Sequence, residues 1–149
     1  MKMKRFAFTM IELVFVIVVL GILAAIAIPR LAATRDDAEI AKGRSDVSAI
    51  RAAIVSERQG RLLQGNTAFI ATLDDADEDE EGETLFDNNN LLMYGITSAN
   101  RNGHWMKSGP NAYDFKIMGT DVTFDYNATT GRFDCTNDAD DTECDLLTN

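Results

Sequence analysis

The chain carries little with which to run chemistry. His104 is its only histidine, set in Asn102-Gly103-His104-Trp105 with no evident nucleophile partner. A surface or packing role is the plainest one for it. No glycine-rich loop suited to cradling phosphates is present. The carboxylates are too many and too clustered to single out an acid–base pair. Basic side chains are scarce: 14 Lys and Arg stand against 24 Asp and Glu, for a formal net charge of −10 over 149 residues. Such a balance repels phosphates and argues against direct nucleic-acid binding. It suits a solvated subunit, or one that binds cations. The composition reads as a structural subunit rather than an enzyme. The length allows one domain plus an anchor, and no long repeats are visible.

What is present is concentrated near the start. Lys2, Lys4 and Arg5 precede a long apolar run that holds one charge, Glu12, at its head. Residues 13 to 28 carry no charge at all; Phe8, Met10 and Ile11 extend the run to about 20 residues, enough to cross a bilayer as a helix. A carboxylate near such a helix costs on the order of 2.5–3.5 kcal/mol at a bilayer centre and calls for a named partner. The natural partner is a new α-amino group at Phe8, created by a cut after Ala7. The clustered positive charges place that end in the cytoplasm and everything after Pro29 on the other side. An ordinary secretory signal, cut after the apolar core near Ala25 or Ala27, is the competing reading. It leaves Glu12 without a use.

The order Ala7-Phe8-Thr9-Met10-Ile11-Glu12, followed by Gly21-Ile22-Leu23-Ala24-Ala25-Ile26-Ala27-Ile28-Pro29, resembles the N-terminus of type IV pilins and of type II secretion pseudopilins. The resemblance is close over about residues 4 to 31 and general beyond. The family usually has Gly before the cut, so Ala7 is a departure. It implies a cleaved leader at 1–7, a transmembrane and filament-core helix at 8–30, and a pilin-like head at 31–149. Ala7 and Phe8 would flank the prepilin cleavage site, Phe8 would be N-methylated, and Glu12 would serve assembly. Pro29 would kink or loosen the helix, since proline removes one helical hydrogen bond.

Periodicity supplies the rest of the plan. Ile40, Val47, Ile50 and Ile54 recur at helical spacing. Gly60 is a plausible stop, so one helix is expected from about 8 to 59. The acidic run at 74–83 self-repels and reads as a solvated loop. The stretch from Leu85 to Gly95 fits either a short helix or a strand. Tyr113, Phe115 and Ile117, then Val122, Phe124 and Tyr126, alternate with polar residues, with turn signals at Gly119-Thr120 and from Asn127 to Gly131. Arg132 to Cys135 returns as a further strand. Trp105 belongs to the core or its rim. The expected class is α+β and pilin-like: a long N-terminal helix packed on a small C-terminal antiparallel β-sheet.

Cys135 and Cys144 are the only cysteines. In an exported head a disulfide between them is the expected state, and many type IV pilins close a C-terminal loop this way. Two thiols are the alternative. Asp138, Asp140, Asp141 and Glu143 lie between the cysteines, within the loop a disulfide would close, with Asn137 beside them. Major pseudopilins hold calcium in a C-terminal loop, so calcium is the one cofactor suggested. EF-hand spacing and an Asp-Pro-Trp-Gly segment are both absent, and solvated charge is the plainer reading. Asn127-Ala128-Thr129 is an N-glycosylation triplet; with Asp125 before it, it resembles the extended bacterial acceptor.

The resemblance implies a filament subunit, cut by a prepilin peptidase and polymerised through its N-terminal helix with copies of itself or related pilins. An inner-membrane assembly platform and an external ATPase would be its partners. The implied location is the inner membrane, single-pass, with a periplasmic head, and then a periplasmic pseudopilus or an extracellular pilus. The residues leave those two fates open. A monomeric, signal-anchored, acidic calcium-binding surface protein is the alternative of a different class.

Overall fold

The computed structural model describes residues 8–136 and 142–148. They form one long helix, α1 (Met10–Leu63), a two-stranded ribbon of β1 (Thr84–Leu85) and β2 (Ile96–Thr97), and a four-stranded sheet. The sheet holds β3 (Trp105–Gly109), β4 (Ala112–Ile117), β5 (Thr120–Asn127) and β6 (Arg132–Cys135), and a short helix follows, α2 (Thr142–Thr148). The architecture is the α+β, pilin-like one expected. The chain divides into two compact units, one ending at Arg35 and one beginning at Asp36.

The ends of α1 differ from the expected 8 to 59, for local reasons. It begins at Met10 because Thr9 acts as its cap: the Glu12 N–H donates to Thr9 Oγ1 at 3.3 Å. It runs through Gly60 and stops after Leu63. Gly65 takes φ +81; its N–H bonds Leu62 O at 3.0 Å, and the Asn66 N–H bonds Arg61 O at 2.9 Å. This pairing closes a helix end through a left-handed residue, which glycine adopts at little cost. Gly60 has no such role.

Within the second unit, Gly43, Val47, Ile50 and Ile54 are buried on one face of α1. That face meets the sheet. β3, β4, β5 and β6 form an antiparallel meander in chain order. Burial alternates along each strand: Tyr113, Phe115 and Ile117 on β4, then Val122, Phe124 and Tyr126 on β5, point inward as their spacing requires. The inner residues also align across strands, with Trp105 opposite Phe115, Tyr113 opposite Phe124, and Tyr126 opposite Phe133. The result is an aromatic core. Phe86 packs on Tyr113 at 4.6 Å between ring centroids, and Phe124 stacks on Phe133 at 5.3 Å.

Polar bonds fix α1 on this sheet. Trp105 Nε1 donates to Asp46 Oδ2 at 3.1 Å, and Arg51 Nε donates to Phe133 O at 2.9 Å. Lys42 Nζ donates to Gly103 O. Gly43 permits the close approach: a Cβ there would stand 2.6 Å from both Leu147 of α2 and Phe115 of β4.

The acidic run is not simply a solvated loop. Asp74 is 1 % exposed, and its Oδ1 accepts from Lys107 Nζ at 2.9 Å. Its two oxygens also accept the N–H groups of Ala76 and Phe86. The later acids stay in water, while their backbone is pinned. The Asp79 N–H reaches Lys107 O, and buried Ser98 exchanges bonds with Glu80, Gly82 and Glu83. The stretch after Leu85 holds a 3-10 turn at Asn88–Asn90 and then β2.

Lys107→Ala leaves the Asp74 carboxylate buried without its cation, which costs about 3–5 kcal/mol. Denaturant unfolding of the full chain in detergent, read by Trp105 emission, measures it; a loss below about 1 kcal/mol, the size of an exposed pair, would show that the backbone donors suffice. Tyr113 is buried beside Asp74. Burial first, and the carboxylate second, raise its phenol far above the usual 10.0. The unfolded chain therefore ionises before the folded one, and stability present at neutral pH falls as pH rises above 10. Unfolding midpoints measured across alkaline pH should decline there, and Tyr113→Phe should reduce the decline.

Candidate functional site

The N-terminal turn of α1 is capped by Thr9, whose Oγ1 accepts the Glu12 N–H. Thr9 precedes the helix, and Glu12 is its third residue. Thr-x-x-Glu is the order of a capping box, in which the hydroxyl accepts a backbone N–H and the carboxylate sits over the other unpaired donors. The Thr9 half of that exchange is present at 3.3 Å, and the Leu13 N–H continues the helix to Thr9 O at 3.1 Å. Glu12 is exposed in the first turn, where the positive end of the helix dipole favours a carboxylate by about 0.3–1 kcal/mol.

From Leu13 to Ile28 the helix is apolar on every side. Met10–Ile28 is long and apolar enough to cross a membrane, and none of that window is buried within the chain. Phe8 is 78 % exposed and Met10 is 83 % exposed. A soluble protein rarely leaves so large a contiguous apolar surface without a partner. The backbone stays helical through Pro29, and the missing proline N–H leaves the Ala25 carbonyl without its helical donor.

The structure brings Phe8, Thr9 and Glu12 together at one helix end. Ala7 lies outside the described residues. At the other end of the chain, Cys135 and Cys144 form a disulfide with their Cα atoms 6.0 Å apart. It ties α2 to β6, while Leu147 is buried and the Leu146 carbonyl accepts from Arg44 Nε. Of the residues considered for calcium, Asp138, Asp140 and Asp141 lie outside the described residues. Glu143 is in the first turn of α2 and accepts from Thr142 Oγ1 at 3.0 Å. Among the described residues, no three His, Cys, Asp or Glu side chains gather to hold a metal ion. Asn127 ends β5 and is exposed. His104 is half-buried, with Nδ1 at 3.1 Å from Asn102 O.

Sequence reasoning missed α2 and the buried Asp74–Lys107 pair. Lys107 carried the available signal. Its place two residues after Trp105 puts both on one face of a strand, and a lysine on an inward face needs an anion.

Comparison with known proteins places the similarity at the same end of the chain. Residues 2–28 match a family model described as the prokaryotic N-terminal methylation motif. Over 53 residues the chain is 38 % identical to type II secretion system core protein G of Pseudomonas aeruginosa, covering 36 % of this chain and 37 % of that protein. The chain thus spans little more than a third of the relative it matches. No solved structure matches. The chain therefore carries a prepilin-type N-terminal motif on an exposed apolar helix.

Cys135→Ser should cost about 2–5 kcal/mol, the range for small exported domains, read as a lower denaturant midpoint. An unchanged midpoint would mean that Leu147 and the Arg44–Leu146 bond hold α2 by themselves.

Proposed function

We propose that this protein is a structural subunit of a type IV pilus-like filament, cut after Ala7 by a prepilin peptidase and polymerised through its N-terminal helix. The observation that carries the reading is the methylation motif at residues 2–28 lying over a capped helix with an unburied apolar window. The mature chain begins at Phe8, whose amine is methylated. The apolar helix holds the subunit in the inner membrane, with the head on the periplasmic side. The disulfide supports an exported head, because such bonds persist in oxidising compartments. A platform protein and an external ATPase then move the subunit into a filament of copies or related pilins.

The relative named as a type II secretion core protein favours a pseudopilus as the filament. A type IV pilus is the second reading, favoured by the C-terminal disulfide. In either filament, Glu12 meets the Phe8 amine of a neighbouring subunit and sets the axial register. A bare carboxylate in a low-dielectric core is unfavourable without such a cation. The intrachain rivals are its own Phe8 amine and the capping turn.

Mass spectrometry of the N-terminal peptide tests the processing. Loss of residues 1–7 and a methylated Phe8 amine are expected; a chain starting after Ala25 or Ala27 would mean an ordinary signal peptidase and would end this reading. Glu12→Ala should still be cut and inserted but join filaments poorly. Normal filament yield from that variant would remove Glu12 as the register device.

A further inference from the structure

The hairpin joining β5 to β6 presents an unused reactive group. Asn127 is the last residue of β5, and the chain turns from it to Arg132, the first residue of β6. Its backbone carbonyl accepts from the N–H of Thr130 at 3.2 Å and of Gly131 at 2.7 Å. Gly131 takes φ +71, and its missing side chain makes room for the ring of Phe69. The turn is thereby anchored on the folded head. The Asn127 side chain reinforces it, with Oδ1 accepting from the Thr129 N–H at 2.9 Å and the Thr130 N–H at 3.1 Å.

These bonds use the oxygen of the carboxamide alone. An aspartate accepts the same two N–H groups and forms the same local turn. What asparagine adds is Nδ2, which donates no hydrogen bond among the described residues. The Thr129 hydroxyl also has no partner among them, and both residues are exposed. Strand alternation completes the arrangement. Tyr126 points inward, 4 % exposed, with its hydroxyl on Ile70 O at 2.8 Å. Asp125 and Asn127 on either side of it point outward. A carboxylate, a carboxamide nitrogen and a hydroxyl thus stand exposed at alternate residues 125, 127 and 129. Asn127-Ala128-Thr129 is the one Asn-x-Ser/Thr triplet in the chain, and a bulky polar modification there uncovers none of the core.

We infer that Asn127 is an acceptor for an N-linked glycan. The inference rests on the exported head proposed above, because the donor is a polyprenyl-pyrophosphate-linked oligosaccharide handled by a transferase on that side of the membrane. Asn127 Nδ2 attacks the anomeric carbon. The N–C bond forms as the C–O bond to the pyrophosphate breaks. The lipid pyrophosphate leaves, and the proton lost from Nδ2 passes to a base of the transferase or to solvent. The Thr129 hydroxyl is the group the transferase reads beside the acceptor.

The test uses the full chain, expressed in a bacterium that carries a periplasmic oligosaccharyltransferase and its lipid-linked oligosaccharide. Trypsin releases peptide 117–132, which holds the triplet. This peptide should gain the mass of the glycan in the parent chain and should not gain it in Asn127→Gln. Thr129→Ala is the second variant, because it keeps both bonds from the backbone to Asn127 Oδ1 and leaves the turn intact; it too should lose the mass. Glycan retained in Thr129→Ala, or peptide 117–132 unmodified in chains that have lost residues 1–7 and closed Cys135 to Cys144, overturns the acceptor site while leaving the export reading in place. Chains that keep the leader and show two alkylatable thiols sink both.

Discussion

The head depends on the buried charge pair between Asp74 and Lys107. A carboxylate removed from water is tolerated only when a cation and further donors meet it. Asp74 has Lys107 at 2.9 Å and two backbone N–H groups. The pair joins segments far apart in the chain: Asp74 lies in the loop after α1, and Lys107 lies on the inward face of β3. Its geometric consequences reach further than its energy. The bond from the Phe86 N–H to Asp74 Oδ2 holds Phe86 at φ 60, a conformation a bulky residue rarely adopts. That orientation goes with a Phe86 ring that is fully buried against Trp105, Tyr113 and Phe133. An ion pair that contributes little net stability beside an apolar substitute can still specify which loop enters the core.

A second constraint is the narrowness of the apolar stripe on α1. In the head it presents three large buried side chains, Val47, Ile50 and Ile54. Apolar contact alone is non-directional and tolerates a helix sliding or turning on the sheet. Hydrogen bonds do not. Asp46 to Trp105, Arg51 to Phe133 O and Lys42 to Gly103 O join successive turns of the helix to different strands and loops. Each contributes about 1 kcal/mol net. Together they fix the rotation of α1 about its axis. Gly43 fixes its depth, because any side chain there would meet Phe115 and Leu147.

The sequence made regular structure legible wherever a period was strong. β4 and β5 showed their inward faces through Tyr113-Phe115-Ile117 and Val122-Phe124-Tyr126, and the structure places those faces as expected. β3 was hidden because its inward face is Trp105, Lys107 and Gly109. A lysine and a glycine at inward positions erase the apolar alternation. α2 was hidden because Thr142–Thr148 is too short to form a stable helix alone; Leu147 and the disulfide hold it. The acidic run misled for a related reason. Eight like charges read as solvent-facing, yet only the first of them, Asp74, goes inside, and nothing local marks it. At the N-terminus the motif was legible residue by residue, because its chemistry lies in side chains next to one another in sequence.

That N-terminal chemistry has an internal tension which magnitudes can order. Glu12 fits its own helix end: Thr9 caps the turn, and the dipole favours a carboxylate there by about 0.3–1 kcal/mol at an exposed position. Carrying the same carboxylate to a bilayer centre costs about 2.5–3.5 kcal/mol. The local cap therefore does not offset transfer into an apolar filament core. In the proposed mature chain the Phe8 amine adds a full positive charge beside the positive end of the dipole, which leaves that end in excess of cation. One Glu12 per subunit and one amine per subunit balance only as pairs. Within a single helix the pair would draw both groups into the capping turn and leave no preference for a neighbour's position. Between helices of the proposed filament it would make the axial offset of adjacent subunits a matter of where the charges meet. From Leu13 to Ile28 the helix carries no charged side chain and none of that window is buried within the chain, so in the proposed filament the charge pair would be the directional contact that sets one such helix against the next.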